Sequence, residues 1–329
     1  MPHRTVTARA GANIAFIKYW GNREGGLNLP LNPSISMTLT RCVTETTVEI
    51  LPDAQRDEIL LDGRPPGVSA LRRIGAFLDL VRERARRTER LKVTSANTFP
   101  SAAGIASSAS GFAALALAAA TVLDLSLDPV QMSRLARLGS GSAARSIMGG
   151  FVELHPSESD DGAYAEQVAG EDSWPDLRDL ILILSESEKE VSSAVGHRLA
   201  STSEMFRARL QSVLARAELV RQAIRERDLE ALGEAAEADA LSMHAVMMTS
   251  RPPLIYWSGR TIEAIRTVWA LRREGLPAWF TIDAGPNVHV LTAAETAPEV
   301  ERHLADRLGA RIIVDSAGPG AQIVEDRCR

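Results

Sequence analysis

The chain has 329 residues, 45% of them hydrophobic and 24% charged, which describes a globular protein long enough for two modest cores. A formal net charge of -5 gives no overall attraction to nucleic acid, and Cys42 and Cys328, far apart, form neither a disulfide framework nor a metal-ligand spacing. The longest apolar run, residues 112–123, is too short to span a bilayer, and no apolar signal core follows Met1, so a cytoplasmic protein without nucleic-acid or membrane partners is expected.

In chain order, residues 4–10 alternate as a strand. Residues 11–33, GANIAFIKYWGNREGGLNLPLNP, read as a loop carrying Lys18, Tyr19 and Trp20 beside a glycine, a composition that suits either a pocket wall or a surface turn. Residues 34–50 read as two strands, Asp62-Gly63 as a turn, and residues 70–87 as an amphipathic helix with an arginine-rich solvated face. A strand over 91–96 leads into SANTFPSAAGIASSAS, a run of small residues from Ser95 to Ser110, and an Ala/Leu-rich buried helix follows from Gly111. Small residues feeding a helix N-terminus leave backbone N–H groups free to cradle a phosphate, although a serine-capped flexible loop has the same composition. Asp128 caps a helix over 129–138. A second small-residue loop, GSGSAARSIMGG, carries Ser140, Ser142 and Arg145, and Arg145 can grip a carboxylate or phosphate in bidentate fashion.

Residues 149–154 form a strand, 156–176 an acidic surface stretch, and 180–185 a buried strand. The pattern then turns helix-rich, which places a domain boundary near Glu186, with domains over 1–186 and 187–329. KEVSS, with Ser192 and Ser193, stands at a helix entrance, and two long amphipathic helices follow over 203–227 and 228–248. A helix over 257–274, a strand over 278–282, the tight loop DAGPN from Asp283, a strand over 288–292, a helix over 298–308 and a strand over 311–314 complete an α+β sandwich.

Four loops therefore carry the polar chemistry: those around Lys18, Ser95–Ser110, Ser140–Arg145 and Asp283. A phosphate cradle, an arginine, a lysine and an aspartate at a strand end suit phosphoryl transfer to a hydroxyl, with Asp283 as orienting group or base, although DAGPN is also good turn chemistry. His244 reads as a packed histidine among methionines, and His3, His155, His197, His289 and His303 show no metal-ligand spacing.

The stretches NIAFIKYWG, LNLPLNPSISMTL, NTFPSAAGIASSASGFAALA, GSGSAARSIMGGFVEL, KEVSS, MHAVMMTSRPPLIYW and TIDAGPNVHVL resemble, in order and over nearly the whole chain, the mevalonate diphosphate decarboxylase group of the GHMP kinase superfamily. The resemblance implies a ribosomal S5 domain 2-like N-terminal domain, a ferredoxin-like C-terminal domain and a cleft between them. It implies ATP and Mg2+ as cofactors, bound by Ser95, Ser101, Ala103, Gly104, Ser107 and Ser108, with Ser108 also near the metal. It gives Asp283, Lys18 and Arg145 the catalytic roles, and Tyr19, Asn22, Ser140, Ser142, Ser192 and Ser193, with Arg145, the phosphorylated mevalonate. It also implies a homodimer. The family pattern KYWGK stands here as KYWGN, so Asn22 removes one cation from the phosphate end, with Arg23 beside it. Mevalonate 5-phosphate is accordingly the expected substrate and isopentenyl phosphate the product. Use of the diphosphate, or phosphorylation of the C3 hydroxyl without decarboxylation, are the alternatives.

Overall fold

The computed structural model describes residues 4–100, 107–187 and 191–328. The elements are β1 (Arg4–Ile17), β2 (Ser34–Leu51), β3 (Glu58–Leu61), α1 (Val68–Ala85), β4 (Arg90–Asn97), α2 (Ser107–Val122), α3 (Pro129–Gly139), β5 (Phe151–Leu154) and β6 (Ala165–Ala169). They continue with β7 (Leu177–Ile183), α4 (Ser193–Leu199), α5 (Phe206–Glu226), α6 (Leu229–Met248), α7 (Gly259–Arg273), β8 (Trp279–Thr281), β9 (Val288–Ala293), α8 (Ala297–Leu308), β10 (Arg311–Asp315) and β11 (Gln322–Cys328).

Two sheets organise the molecule. The first runs β11-β1-β2-β4-β3, with β5 pairing β2 and β6 pairing β5; the second is antiparallel, in the order β10-β7-β9-β8. Helix α2 lies on β1 and β2, and its alanines are buried, so small side chains let a helix backbone approach the sheet closely. Strand β7 shows period-two burial put to use on both faces. Leu180 and Leu182 join the core under α7 and α8, while Ile181 and Ile183 join the core shared with α5, α6 and the first sheet. No helix among the described residues is long and apolar enough to cross a membrane.

Several sequence expectations change. The first strand does not stop at residue 10 but runs to Ile17, and residues 34–50 form one strand rather than two. The cause is a bulge: the register jumps from Gly11–Val43 to Asn13–Thr38, and a Cβ on Gly11 would sit 2.3 Å from the Leu39 carbonyl oxygen. The Asp315 carboxylate accepts the Thr40, Arg41 and Cys42 amides that the bulge leaves over. The acidic stretch 156–176 contains β6, and its Ala163, Ala165 and Trp174 are buried. Helix α2 is already formed at Ser107 rather than Gly111.

The boundary expected near Glu186 falls just after β7. Strand β7, expected in the first domain, pairs β9 and β10 in the second sheet. The chain then returns: β11, absent from the sequence reading, pairs antiparallel with β1. Its residues QIVEDRC are mostly exposed, so no burial pattern marked it as an edge strand.

Candidate active site

A cleft of about 860 Å³ opens between the two sheets, and the expected site residues that the structure describes line it, Ser95 excepted. Lys18 follows β1, Asp283 follows β8, Ser107 and Ser108 open α2, Ser140 ends α3, Ser142 and Arg145 lie on the 3-10 turn Gly141–Ile147, and Ser192 caps α4 beside Ser193. Tyr19 and Asn22 complete the wall.

At its centre Lys18 Nζ donates to Asp283 Oδ1 at 2.6 Å. The lysine side chain is 1% exposed and the aspartate 27%, so the carboxylate faces the cleft with its counter-ion behind it. Burial would raise the Asp283 carboxyl, but the charge and hydrogen bond of Lys18 hold it below the usual carboxylate range. Burial pulls the Lys18 ammonium down against the opposing pull of Asp283. The Lys18 backbone is gripped from α5, α6 and the loop before β2: its N–H donates to Asp239 at 2.7 Å, and its carbonyl accepts from Arg209 at 3.2 Å and from Asn32 at 3.0 Å. Asp239 is ion-paired to Arg209 and Arg216, which lets a charge sit at zero exposure. His244 Nε2–H donates to the Asp283 carbonyl at 3.2 Å and its ring packs on Trp257, in the packed role expected for it.

Arg145 is a buried cation with no carboxylate bonded to it among the described residues. Its Nε donates to Ser36 at 2.8 Å, Nη1 to Ser34 at 2.5 Å and Nη2 to Asn13 at 3.0 Å. These neutral acceptors take three of five N–H groups, leaving one on each terminal nitrogen for a ligand. Burial pulls its pKa down to about 10. An arginine desolvated without an ion pair is a site for an anion.

The other end of the cleft is built differently. The single Tyr19 hydroxyl proton is shared between two acceptors within reach, the Asn22 side-chain oxygen and the Asn28 carbonyl, and the Asn22 amide reaches Asn28. Arg23 turns to the Ser157 carbonyl at 3.1 Å and Glu158 at 3.4 Å. Ser140 meets Ser142 at 3.3 Å and Ser108 at 3.4 Å. Arg73, from α1, also lines the cleft, bonded to the Gly139 carbonyl.

Ser95 is not brought to the cleft. Its hydroxyl pairs with Thr46 at 2.8 Å across β2 and β4. Ser101, Ala103 and Gly104 lie outside the described residues. Sequence reasoning missed His197, Asn13 and the Arg209–Asp239 pair. Asn13 lay inside a matched stretch, but nothing in a sequence joins Asp239 to a lysine 221 positions earlier.

Fold and site together define an α+β enzyme of the GHMP-kinase-like class. Residues 10–165 match the family model described as a diphosphomevalonate decarboxylase-like N-terminal domain, and residues 179–321 the mevalonate 5-diphosphate decarboxylase C-terminal domain. The chain belongs to the mevalonate diphosphate decarboxylase family, a family of ATP-dependent decarboxylases of isoprenoid biosynthesis. It is 40% identical to the human diphosphomevalonate decarboxylase, over 91% of this chain and 79% of that one. It is 36% identical to the phosphomevalonate decarboxylase of Haloferax volcanii, over 98% of both chains. A solved structure of MDDEF in complex with MVAPP, AMPPCP and magnesium superposes with a TM-score of 0.94 at 38% identity, covering 98% of this chain and 99% of that one.

Proposed function

We propose that this enzyme converts mevalonate 5-phosphate, with ATP, to isopentenyl phosphate, ADP, phosphate and carbon dioxide. Asn22 carries the choice of substrate: a neutral amide, already bonded to Tyr19 and Asn28, stands where the family pattern has lysine. A monophosphate needs less compensating charge than a diphosphate, and Ser140, Ser142, Ser192 and Ser193 supply neutral donors around it.

The residues fit a magnesium nucleotide. Helix α2 opens on the cleft with Ser107 and Ser108 and no acidic residue in its first turn. Among the described residues no cluster of three acids, histidines or cysteines could hold a metal ion, which suits a divalent ion carried by phosphates with Ser108 as a protein ligand. Ser101, Ala103 and Gly104 belong to the same proposed binding loop. When bound, ATP supplies the phosphoryl group that turns the tertiary C3 hydroxyl into a leaving group.

The chain's own part is orientation and charge. Asp283 accepts the hydrogen bond of the C3 hydroxyl and receives its proton as the oxygen attacks. Lys18 keeps Asp283 ionised until then and fixes its direction. Arg145 holds the C1 carboxylate with its two remaining N–H groups, so the bond that breaks to release carbon dioxide is held in place while its electrons form the new double bond. Enclosure by both domains strengthens each of these contacts by excluding water.

The test is kcat/KM for mevalonate 5-phosphate and mevalonate 5-diphosphate measured side by side, with carbon dioxide and ADP both quantified. Preference for the monophosphate with equal release of both products is expected. A clear preference for the diphosphate would falsify the substrate assignment, and ADP without carbon dioxide would reduce the reaction to a kinase.

A further inference from the structure

The proposed chemistry leaves His197 without a task, yet its ring is held from two sides, by a backbone hydrogen bond and by two aromatic rings. It lies on α4 and reaches across to the loop after β1, where Nδ1 accepts the Gly21 backbone N–H at 3.0 Å. The ring packs in tilted contact with Tyr19, with centroids 4.4 Å apart, and with Trp20, at 4.7 Å. The segment packs closely on the same indole, since a Cβ on neighbouring Gly196 would meet the Trp20 ring at 2.4 Å.

This geometry fixes the proton. A backbone amide only donates, so Nδ1 is the bare nitrogen and Nε2 carries the hydrogen. Burial, helped by the charge of Arg145, pushes the ring's pKa down to about 3, so the imidazole is neutral at working pH. Nε2 makes no hydrogen bond to any described residue, and His197 lines the cleft together with Tyr19, Asn22, Ser192 and Ser193. A donor so placed, with ring angle, tautomer and backbone all set, lacks only an acceptor.

We propose that His197 is a substrate-binding residue whose Nε2–H donates to an oxygen of the substrate's phosphate. The inference rests on the reading of the cleft as the site of a 5-phosphorylated mevalonate. It adds the residue that recognises the phosphate end by a directed neutral hydrogen bond, where Asn22 has withdrawn a charge. A hydrogen bond to a charged acceptor corresponds to about 10- to 100-fold in binding.

Two conservative variants separate this role from a structural one. In H197N the side-chain oxygen can take the place of Nδ1 and keep the Gly21 contact, but the Nε2–H is gone. In H197Q the amide nitrogen can take the place of Nε2, but the Gly21 contact is lost. The expected result is a KM for mevalonate 5-phosphate raised about 10- to 100-fold in H197N and within about threefold of the parent in H197Q, with the KM for ATP unmoved in both. Native KM in H197N, or equal damage in both variants, overturns the proposal. A measurement on the unsubstituted protein stands beside these: the histidine 15N spectrum should show one ring as the Nε2–H tautomer, with its Nε2 resonance shifting on addition of mevalonate 5-phosphate. Absence of that shift also overturns it. Failure of the wider function is distinguishable, since it would show first as no turnover of either phosphorylated mevalonate by the unsubstituted enzyme.

Discussion

Under the proposed function the two ends of the cleft hold an anion away from water by opposite means. At the reaction end the protein uses charge: Lys18 faces Asp283, and Arg145 is buried on three neutral acceptors with no ion pair among the described residues. At the phosphate end it uses direction: Tyr19, Asn22, Ser192 and His197 present neutral groups fixed by hydrogen bonds and ring packing. Each end even has its own neutral histidine, His244 donating to the Asp283 carbonyl and His197 accepting from Gly21. Charge is needed where charge develops during reaction, because a fixed cation acts strongly in a low dielectric. Directed neutral donors suffice where a ligand is only held.

The contrast is broken most severely at Asp283. Asp283→Asn should lower kcat about a thousandfold while ATP affinity, measured by titration, changes little; near-normal turnover would remove Asp283 from the reaction. Lys18→Met comes next, with a loss of about a hundredfold and a change in pH profile. The lysine holds the Asp283 carboxyl down, so without it the carboxyl rises and activity on acidification is lost at a higher pH than in the parent. An unshifted acid limb would separate Lys18 from Asp283.

A smaller effect sharpens the comparison at the other end. Asn22→Lys should move the ratio of kcat/KM for diphosphate over monophosphate upward by about tenfold, since it puts a cation at the position where the family pattern has one. An unchanged ratio would place the selectivity elsewhere.

The smallest effect concerns stability. His244 is buried and neutral, its pKa pushed down to about 3 by burial, against about 6.5 in the unfolded chain. Between those values only the unfolded chain takes up the proton, so stability falls as pH drops through that window, by at most about 1.4 kcal/mol per pH unit. Denaturant titrations at pH 7 and pH 5 should show His244→Gln losing less stability on acidification than the parent; equal losses would argue against a neutral His244.

What could be read beforehand follows from locality. Helices α1, α3, α5, α6 and α7 lie close to their expected positions, and Asp128 does cap α3, because helix periodicity and capping are encoded within a few residues. The loops with Lys18, Ser140, Arg145 and Asp283 were legible as candidate chemistry, although composition alone allowed each to be an ordinary turn, and the family resemblance joined them. Ser95 misled, since a strand hydroxyl and a loop hydroxyl look alike until the neighbouring strand is in place. His197 gave no signal at all: its value comes from Gly21, Tyr19 and Trp20, more than 170 positions away.

The sequence by itself therefore determined the local elements, the four polar loops and the missing lysine at Asn22. Only the tertiary structure decided that β7 belongs to the second sheet, that β11 returns to the first, and that Asp239 and Arg209 grip Lys18 from another domain. The physical reason is the same in each case. A hydrogen bond or buried ion pair is set by distance in space, and side chains hundreds of residues apart carry no mark of the neighbour that will satisfy them.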